Sequence, residues 1–327
     1  MPSILVAPDS FKGTFSAVAV AGAIGRGLAA AGLDSDLCPV ADGGEGTMET
    51  LLASIGGSTV EVDVLDPLGR DMRAPFALIE EGRRAIVEMA AASGLALLTD
   101  DERDPWEATT YGTGTLMVAA AQAGVQEIMV AVGGSATVDG GRGALQAIAD
   151  GGGLGDARVV VLCDVTTPWE RCAEIYGPQK GADPDMVVRL AERLAAYASE
   201  LPRDPRGVAM TGAAGGLSGG LWAGCDAALE PGAPYVLDAL RFDERLRASA
   251  GVIAGEGRID EQSVMGKIVG EIGERALGAR VPLYAIVGRD SVPPEASERI
   301  ALRSVREATT LAEIEATAER LGREITG

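Results

Sequence analysis

Short apolar runs that close on clusters of glycine, serine and aspartate recur along this chain, and a helical spacing of apolar positions follows most of them. Residues 3–7 form a strand-length run closed by Pro-Asp-Ser-Phe-Lys-Gly; Ser16 then caps a helical pattern through Ala31, with Gly32 as its stop. A second run, 37–41, ends in Asp42-Gly-Gly-Glu-Gly, and Thr47 opens a helix that reaches Gly56. Two strand–helix units in succession predict a parallel sheet whose reactive groups gather at the carboxyl ends of its strands, where Asp9, Ser10, Lys12, Asp42 and Glu45 fall.

From Thr59 the period changes. Val60, Val62 and Val64 alternate with polar residues, Asp66-Pro-Leu-Gly makes a turn, and residues 76–89 offer two more strands, an antiparallel signature that marks a new domain. Thr109-Thr-Tyr-Gly-Thr-Gly-Thr leads into a helix ending near Gly124, and 159–164 is another buried strand. A helix opened by Asp183, with Pro184 at its first position, shows an apolar face of Met186, Val187, Leu190, Leu194 and Tyr197. The tract from Thr211 to Gly220 is the richest in glycine, and suits a backbone cradle as well as a close helix contact. Near Gly251 the strand–helix rhythm returns, with strands at 252–254 and 282–287 and Gly266-Lys267 in or before a helix.

The simplest topology is α/β in two domains. Both termini (1–59 plus 249–327) build a doubly wound, flavodoxin- or Rossmann-like parallel-sheet domain, and 60–248 form an inserted mixed α/β domain. The active site is expected in the cleft between them.

The stretch organising the chain is 128–147, IMVAVGGSATVDGGRGALQA: an apolar strand, a loop with four glycines, then a helix. Glycines let backbone N–H groups converge on an anion, and the following helix N-terminus adds its dipole. Ser135 and Thr137 add hydroxyl donors, and Asp139 is placed to hold a divalent ion beside a phosphate. The loop lacks the closing Gly-Lys-Ser/Thr of a P-loop and the GxGxxG of a dinucleotide site.

Composition narrows the chemistry. A net charge of −20 repels nucleic acid and acidic membrane surfaces, so neither is an expected partner and a phosphorylated ligand must meet a local basic site. Histidine is absent, which removes imidazole general bases and leaves carboxylates, lysines and oxygen-bound cations. Among 28 basic residues only Lys12, Lys180 and Lys267 are lysines, each beside a glycine, where a compact ammonium suits a phosphate. Cys38, Cys163, Cys172 and Cys225 form no CxxC pair; free buried thiols and a cytoplasmic location are expected, with no leader or membrane span.

These loops resemble those of the bacterial glycerate kinases of the first type. The similar pieces are APDSFKG at 7–13, PVADGGEGT at 39–47, TTYGTG at 109–114, GGSATVDGGRG at 133–143, CDVT at 163–166, YGPQKGA at 176–182, GAAGG at 212–216 and GEGRID at 255–260, in the family's order from end to end. The resemblance implies an ATP- and Mg²⁺-dependent kinase of D-glycerate, usually giving 2-phosphoglycerate, on a two-domain α/β fold with an interdomain site. Val138 stands where the family usually has Asn, Thr167 stands before Pro168 where it has Asn-Pro, and the link 149–159 is short.

Phosphoryl transfer asks the protein to align a hydroxyl with the γ-phosphate and to neutralise charge. On that chemistry Gly133, Gly134, Ser135, Ala136 and Thr137, with Lys267, are expected to hold the ATP phosphates, Asp139 or Asp164 the Mg²⁺, and Lys180 to neutralise phosphate charge. Ser10, Lys12 and Arg258 are the expected partners of the glycerate carboxylate, and Asp42 or Asp260 accepts the hydroxyl proton. A homodimer is compatible with this reading. The rivals are a kinase of another small hydroxy acid or sugar acid and a non-catalytic protein that binds a phosphorylated metabolite.

Overall fold

The computed structural model describes residues 3–11, 13–260 and 267–326, which cluster into two compact units. The first comprises Met1–Asp42, Glu49–Ser54 and Ala233–Gly327; the second comprises Gly43–Met48 and Ile55–Gly232.

The first unit holds a five-stranded parallel sheet: β1 (Ile4–Pro8), β2 (Ser35–Leu37), β9 (Gly251–Gly255), β10 (Leu283–Val287) and β11 (Leu302–Glu307), in the order β11-β10-β9-β1-β2. Successive side chains on a strand point to opposite faces. Ile4, Val6, Ile253 and Ile286 pack with Val20, Ile24 and Leu28 of helix α1 (Ala17–Ala30) and with Ile314, Ala318 and Leu321 of the last helix, Leu311–Thr326. Leu5, Ala7, Val252 and Ala254, on the alternate positions, are equally buried, so the sheet is covered on both sides as a parallel sheet requires. Ser16 caps α1 as expected, its Oγ accepting from Ala19 N at 3.3 Å.

The second unit is built on a six-stranded mixed sheet: β3 (Ser58–Leu65), β4 (Asp71–Ile79), β5 (Arg84–Glu88), β6 (Glu127–Ala131), β7 (Arg158–Cys163) and β8 (Ala228–Pro231), paired in sequence order. The β3–β4–β5 pairs are antiparallel and the β5–β6–β7–β8 pairs parallel. On β3, Val60, Val62 and Val64 face inward while Thr59, Glu61 and Asp63 are exposed. The turn after it is set by Asp66, whose Oδ1 accepts from Leu68 N and Arg70 N at 2.8 and 2.9 Å. Helices α3 (Ala90–Ser93), α4 (Tyr111–Gln122), α5 (Arg142–Asp150), α6 (Cys172–Tyr176), α7 (Pro184–Ala198) and α8 (Leu217–Gly224) belong to this unit, while α2 (Thr47–Ile55) falls mostly in the first. Asp183 caps α7 through Met186 N at 2.7 Å, and Leu190, Leu194 and Tyr197 are its buried face.

One expected strand moves. The apolar run 37–41 is buried at Cys38, Val40 and Ala41, yet the ladder with β1 covers only Ser35–Leu37. Cys38 N and Val40 N still donate to Val6 O and Pro8 O at 2.8 and 3.0 Å, but Pro8 has no N–H to return a bond, so the run continues beside β1 as extended chain. Among the described residues, no helix is long and apolar enough to cross a membrane. All four cysteines are free, three of them buried.

Candidate active site

The loop between β6 and α5 is shaped by groups far along the chain. Val132 N donates to Gly43 O at 3.2 Å, while Leu95 N donates to Gly134 O at 2.8 Å and Ala136 N to Ser93 O at 3.0 Å. These bonds turn the loop at its tip, where Gly134 takes a left-handed φ of 72° that L side chains adopt at a cost. Among the described residues, no acceptor meets the backbone N–H of Gly133, Gly134 or Ser135. Three adjacent unclaimed donors on a glycine turn are available to an anion.

Beneath the loop lies Lys180, which ends a single 3₁₀ turn, Pro178–Lys180, after α6. It is 1% exposed. Its Nζ donates to Ser135 Oγ at 2.5 Å and to Thr137 O at 2.7 Å. Burial pushes the ammonium pKa down to about 8, opposed by the fields of Cys172 and Asp139. The expected phosphate-neutralising lysine is therefore inside the protein, touching the loop.

Asp139 ties the far side of the loop to α4. Its Oδ2 accepts from Thr110 N at 2.9 Å, Thr110 Oγ1 at 2.8 Å and Gly143 N at 3.1 Å, and its Oδ1 from Gly141 N at 2.9 Å. Three of these bonds fall on Oδ2 and one on Oδ1, so Oδ1 keeps one lone pair. Asp164, the other expected metal ligand, is exposed just beyond the end of β7. Val138 is fully buried with Trp169, Cys172, Leu190 and Leu194, so its side chain serves packing. Thr167 places its hydroxyl 2.7 Å from that of Tyr176.

The glycine tract at 211–220 resolves into close packing. A Cβ on Gly215 would stand 2.0 Å from Thr137 O, one on Gly220 2.2 Å from Gly140 O, and one on Gly212 2.5 Å from Pro168 O. The tract is a floor against which the loop rests, with Gly140 N donating to Gly215 O at 3.0 Å.

The first unit carries its own concavity, a cavity of about 340 Å³ bordered by Asp9, Ser10, Asp42, Glu256, Arg258 and Lys267. It opens beyond the carboxyl ends of β1 and β9, where the strand order reverses direction, the place where open α/β sheets bind ligands. Asp9 and Asp42 are 5% and 7% exposed. Four sequence-predicted residues, Ser10, Asp42, Arg258 and Lys267, thus share one cavity, and Lys267 sits among these rather than within the second unit that holds the 133–137 loop. Asp260 lies nearby, its Oδ2 4.0 Å from Arg258 Nε. Lys12 lies outside the described residues. The cavity adds two acids that the reading of roles had left out, Asp9 and Glu256; both stand just past a strand end, the signal that picked out Asp42. Thr110, which fastens Asp139, had no such signal.

Comparison with known proteins gives a consistent result. The model of the glycerate kinase family matches residues 4–151 and 152–324. The chain is 39% identical to the glycerate kinase of Bacillus subtilis (strain 168), covering 88% of this chain and 86% of that one. It is 38% identical to the glycerate 2-kinase of Escherichia coli (strain K12), covering 87% and 84%. The crystal structure of the "putative glycerate kinase 2" of Salmonella typhimurium LT2 superimposes with a TM-score of 0.85 at 34% identity, over 99% of this chain and 98% of that one. With a matching family model across nearly its whole length, relatives close to 40% identical and the same fold, this chain belongs to the glycerate kinase family.

Proposed function

We propose that the chain transfers the terminal phosphoryl group of ATP, bound with Mg²⁺, to a hydroxyl of D-glycerate, giving 2-phosphoglycerate and ADP. The observation that carries the reading is the glycine turn with three unclaimed N–H donors at Gly133, Gly134 and Ser135, braced from beneath by a buried ammonium. The relatives' names supply the acceptor.

Gly133, Gly134, Ser135, Ala136 and Thr137 hold the phosphates. Magnesium keeps several waters and takes only one or two carboxylates besides the phosphates. Asp139 and Asp164 are the candidate ligands: Asp139 keeps one lone pair on Oδ1, and Asp164 is exposed just beyond β7. Bound MgATP supplies the electrophilic phosphorus and a leaving group whose charge the ion offsets. In the first unit's cavity Arg258 and Ser10 take the carboxylate of glycerate, and Lys267 adds positive charge there. Asp42, the more buried of the two expected bases, accepts the hydroxyl proton at a carboxylate oxygen; Asp260 is the alternative. The free thiols and acidic surface suit the cytoplasm.

The test is ADP release from ATP, Mg²⁺ and D-glycerate by wild type and Asp42→Asn, with the product's phosphate position read by ³¹P NMR. Turnover is expected to require glycerate and to fall roughly 10²–10⁴-fold in the folded variant, the usual worth of a general base. Turnover with another hydroxy acid but not glycerate would overturn the acceptor, and an Asp42→Asn enzyme of wild-type rate would remove that base.

A further inference from the structure

We propose that Ser135 is a directed donor to a terminal phosphate oxygen of the nucleotide and that buried Lys180 is the positioning residue that directs it. The inference rests on reading the 133–137 loop as the phosphate site. An ammonium has three N–H donors and no lone pair. At 2.5 Å the lysine donates and the serine oxygen accepts, so the serine's own proton turns away from Lys180. No described group accepts that proton, and Ser135 retains 8% exposure beside the exposed Gly134 at the loop tip.

The same ammonium holds Thr137 O, so it pins the segment at two residues flanking Ala136. At 1% exposure it acts through the loop and not on the ligand. A serine free to rotate would spend part of its time donating toward Lys180; one that must accept from below keeps its proton in the two staggered positions that face away from the lysine. Fixing a donor before the ligand arrives removes ordering cost from binding and places it for the transferring oxygens.

The arrangement works while Lys180 is charged. The titratable groups acting on it are Asp139, itself facing Arg193, and the Cys172 thiol, which burial pushes up to about 12 and so keeps neutral. Above pH about 8 the lysine amine gains a lone pair, becomes able to accept the serine proton, and the direction is lost.

The experiment is MgATP affinity by titration calorimetry, below and above pH 8, for wild type, Ser135→Ala, Lys180→Met and the double variant. Below that pH each single change is expected to weaken binding about tenfold, the scale of one hydrogen bond to a charged group. The double variant should bind no more weakly than Lys180→Met, because the lysine works through the serine. Wild-type affinity should drop as pH rises through about 8, Ser135→Thr should keep that step and Ser135→Ala should lack it. Additive losses, or a step that persists in Ser135→Ala, overturn the proposal; if Lys180→Met fails to fold, that pH comparison decides alone. Binding is read without glycerate. A wild type that shows this pattern but does not phosphorylate glycerate ends the acceptor assignment and leaves the proposal standing; a wild type without measurable MgATP affinity ends the proposal.

Discussion

Two glycine-rich segments meet in the second unit, and they use glycine for opposite purposes. In the 133–137 loop Gly134 leaves its N–H unclaimed and the nearest obstacle to a Cβ on it is the side chain of exposed Glu45, although a Cβ on neighbouring Gly133 would stand 2.6 Å from Gly44 Cα. In the 211–220 tract the missing Cβ atoms are replaced by backbone: carbonyls of Thr137, Gly140 and Pro168 fill the space. A glycine that exposes donors belongs to ligand chemistry, whereas one that admits a neighbouring carbonyl belongs to packing. Glycine content alone does not separate the two, because the distinction lies in what occupies the space beside each Cα.

The sharpest way to break this comparison is Gly215→Ala. Its φ of 64° is unfavourable for alanine, and the new Cβ would overlap Thr137 O at 2.0 Å, where only backbone can give way. Left-handed strain of about 1–2 kcal/mol and overpacking of about 1–3 kcal/mol add to a loss near 3 kcal/mol or more. Chemical denaturation is expected to show that loss, with activity falling as the loop's floor shifts. A variant as stable as wild type but unable to bind MgATP would make the tract a second cradle and erase the distinction.

A second prediction uses the ammonium beneath the loop. Lys180 releases its proton near pH 8 in the folded chain and near 10.5 when unfolded, so between those values the unfolded state binds more protons and stability rises with pH. The rise, measured as wild type minus Lys180→Met, is expected to reach on the order of 3 kcal/mol across that window. Stability thus grows over the pH range in which the directed serine is lost. A flat difference would mean that the ammonium carries little desolvation cost and that its place under the loop is not a strained one.

Val138→Asn restores the residue expected from the family pattern. In this chain the position is fully enclosed by Trp169, Cys172, Leu190 and Leu194, so a carboxamide there costs about 1–3 kcal/mol unless it finds a partner. The expected outcome is a lower denaturation midpoint with unchanged acceptor preference. A change in acceptor preference would place this side chain against substrate rather than in the packed floor.

Local signals carried most of the fold. Period-2 valines on β3, the Ser16 and Asp183 caps and the apolar runs of β1, β6, β7, β9 and β10 are all short-range patterns, and each formed the expected element. The run at 37–41 misled because burial continues past Leu37 while the ladder stops where Pro8 has no N–H to give. The site was legible only in its loops. Asp139 beside Ser135 and Thr137 has the look of a metal ligand along the chain, whereas its bonds to Thr110, 29 residues earlier, are visible only in the fold. Lys180 reaches a serine 45 residues away, a distance at which spacing says nothing about contact. Asp42 and Arg258 come together through the order of strands in a sheet, which no window along the chain contains.

The smallest expected stability effect gives the cleanest reading of the loop itself. Gly134→Ala keeps the left-handed φ of 72° at a cost of about 1–2 kcal/mol, and its Cβ meets only the side chain of exposed Glu45, which can swing into solvent. The fold should therefore survive with a modest fall in its denaturation midpoint. Binding should suffer more, because the methyl group stands at the tip where N–H donors must approach an anion without Cβ interference, and the loss of one well-placed charged hydrogen bond is worth roughly tenfold. Calorimetry on Gly134→Ala with MgATP, beside Gly215→Ala, then separates the two kinds of glycine directly. The loop variant should lose affinity out of proportion to stability, and the tract variant the reverse. Equal proportions in both would mean that the loop's glycines, like those of the tract, are there for packing.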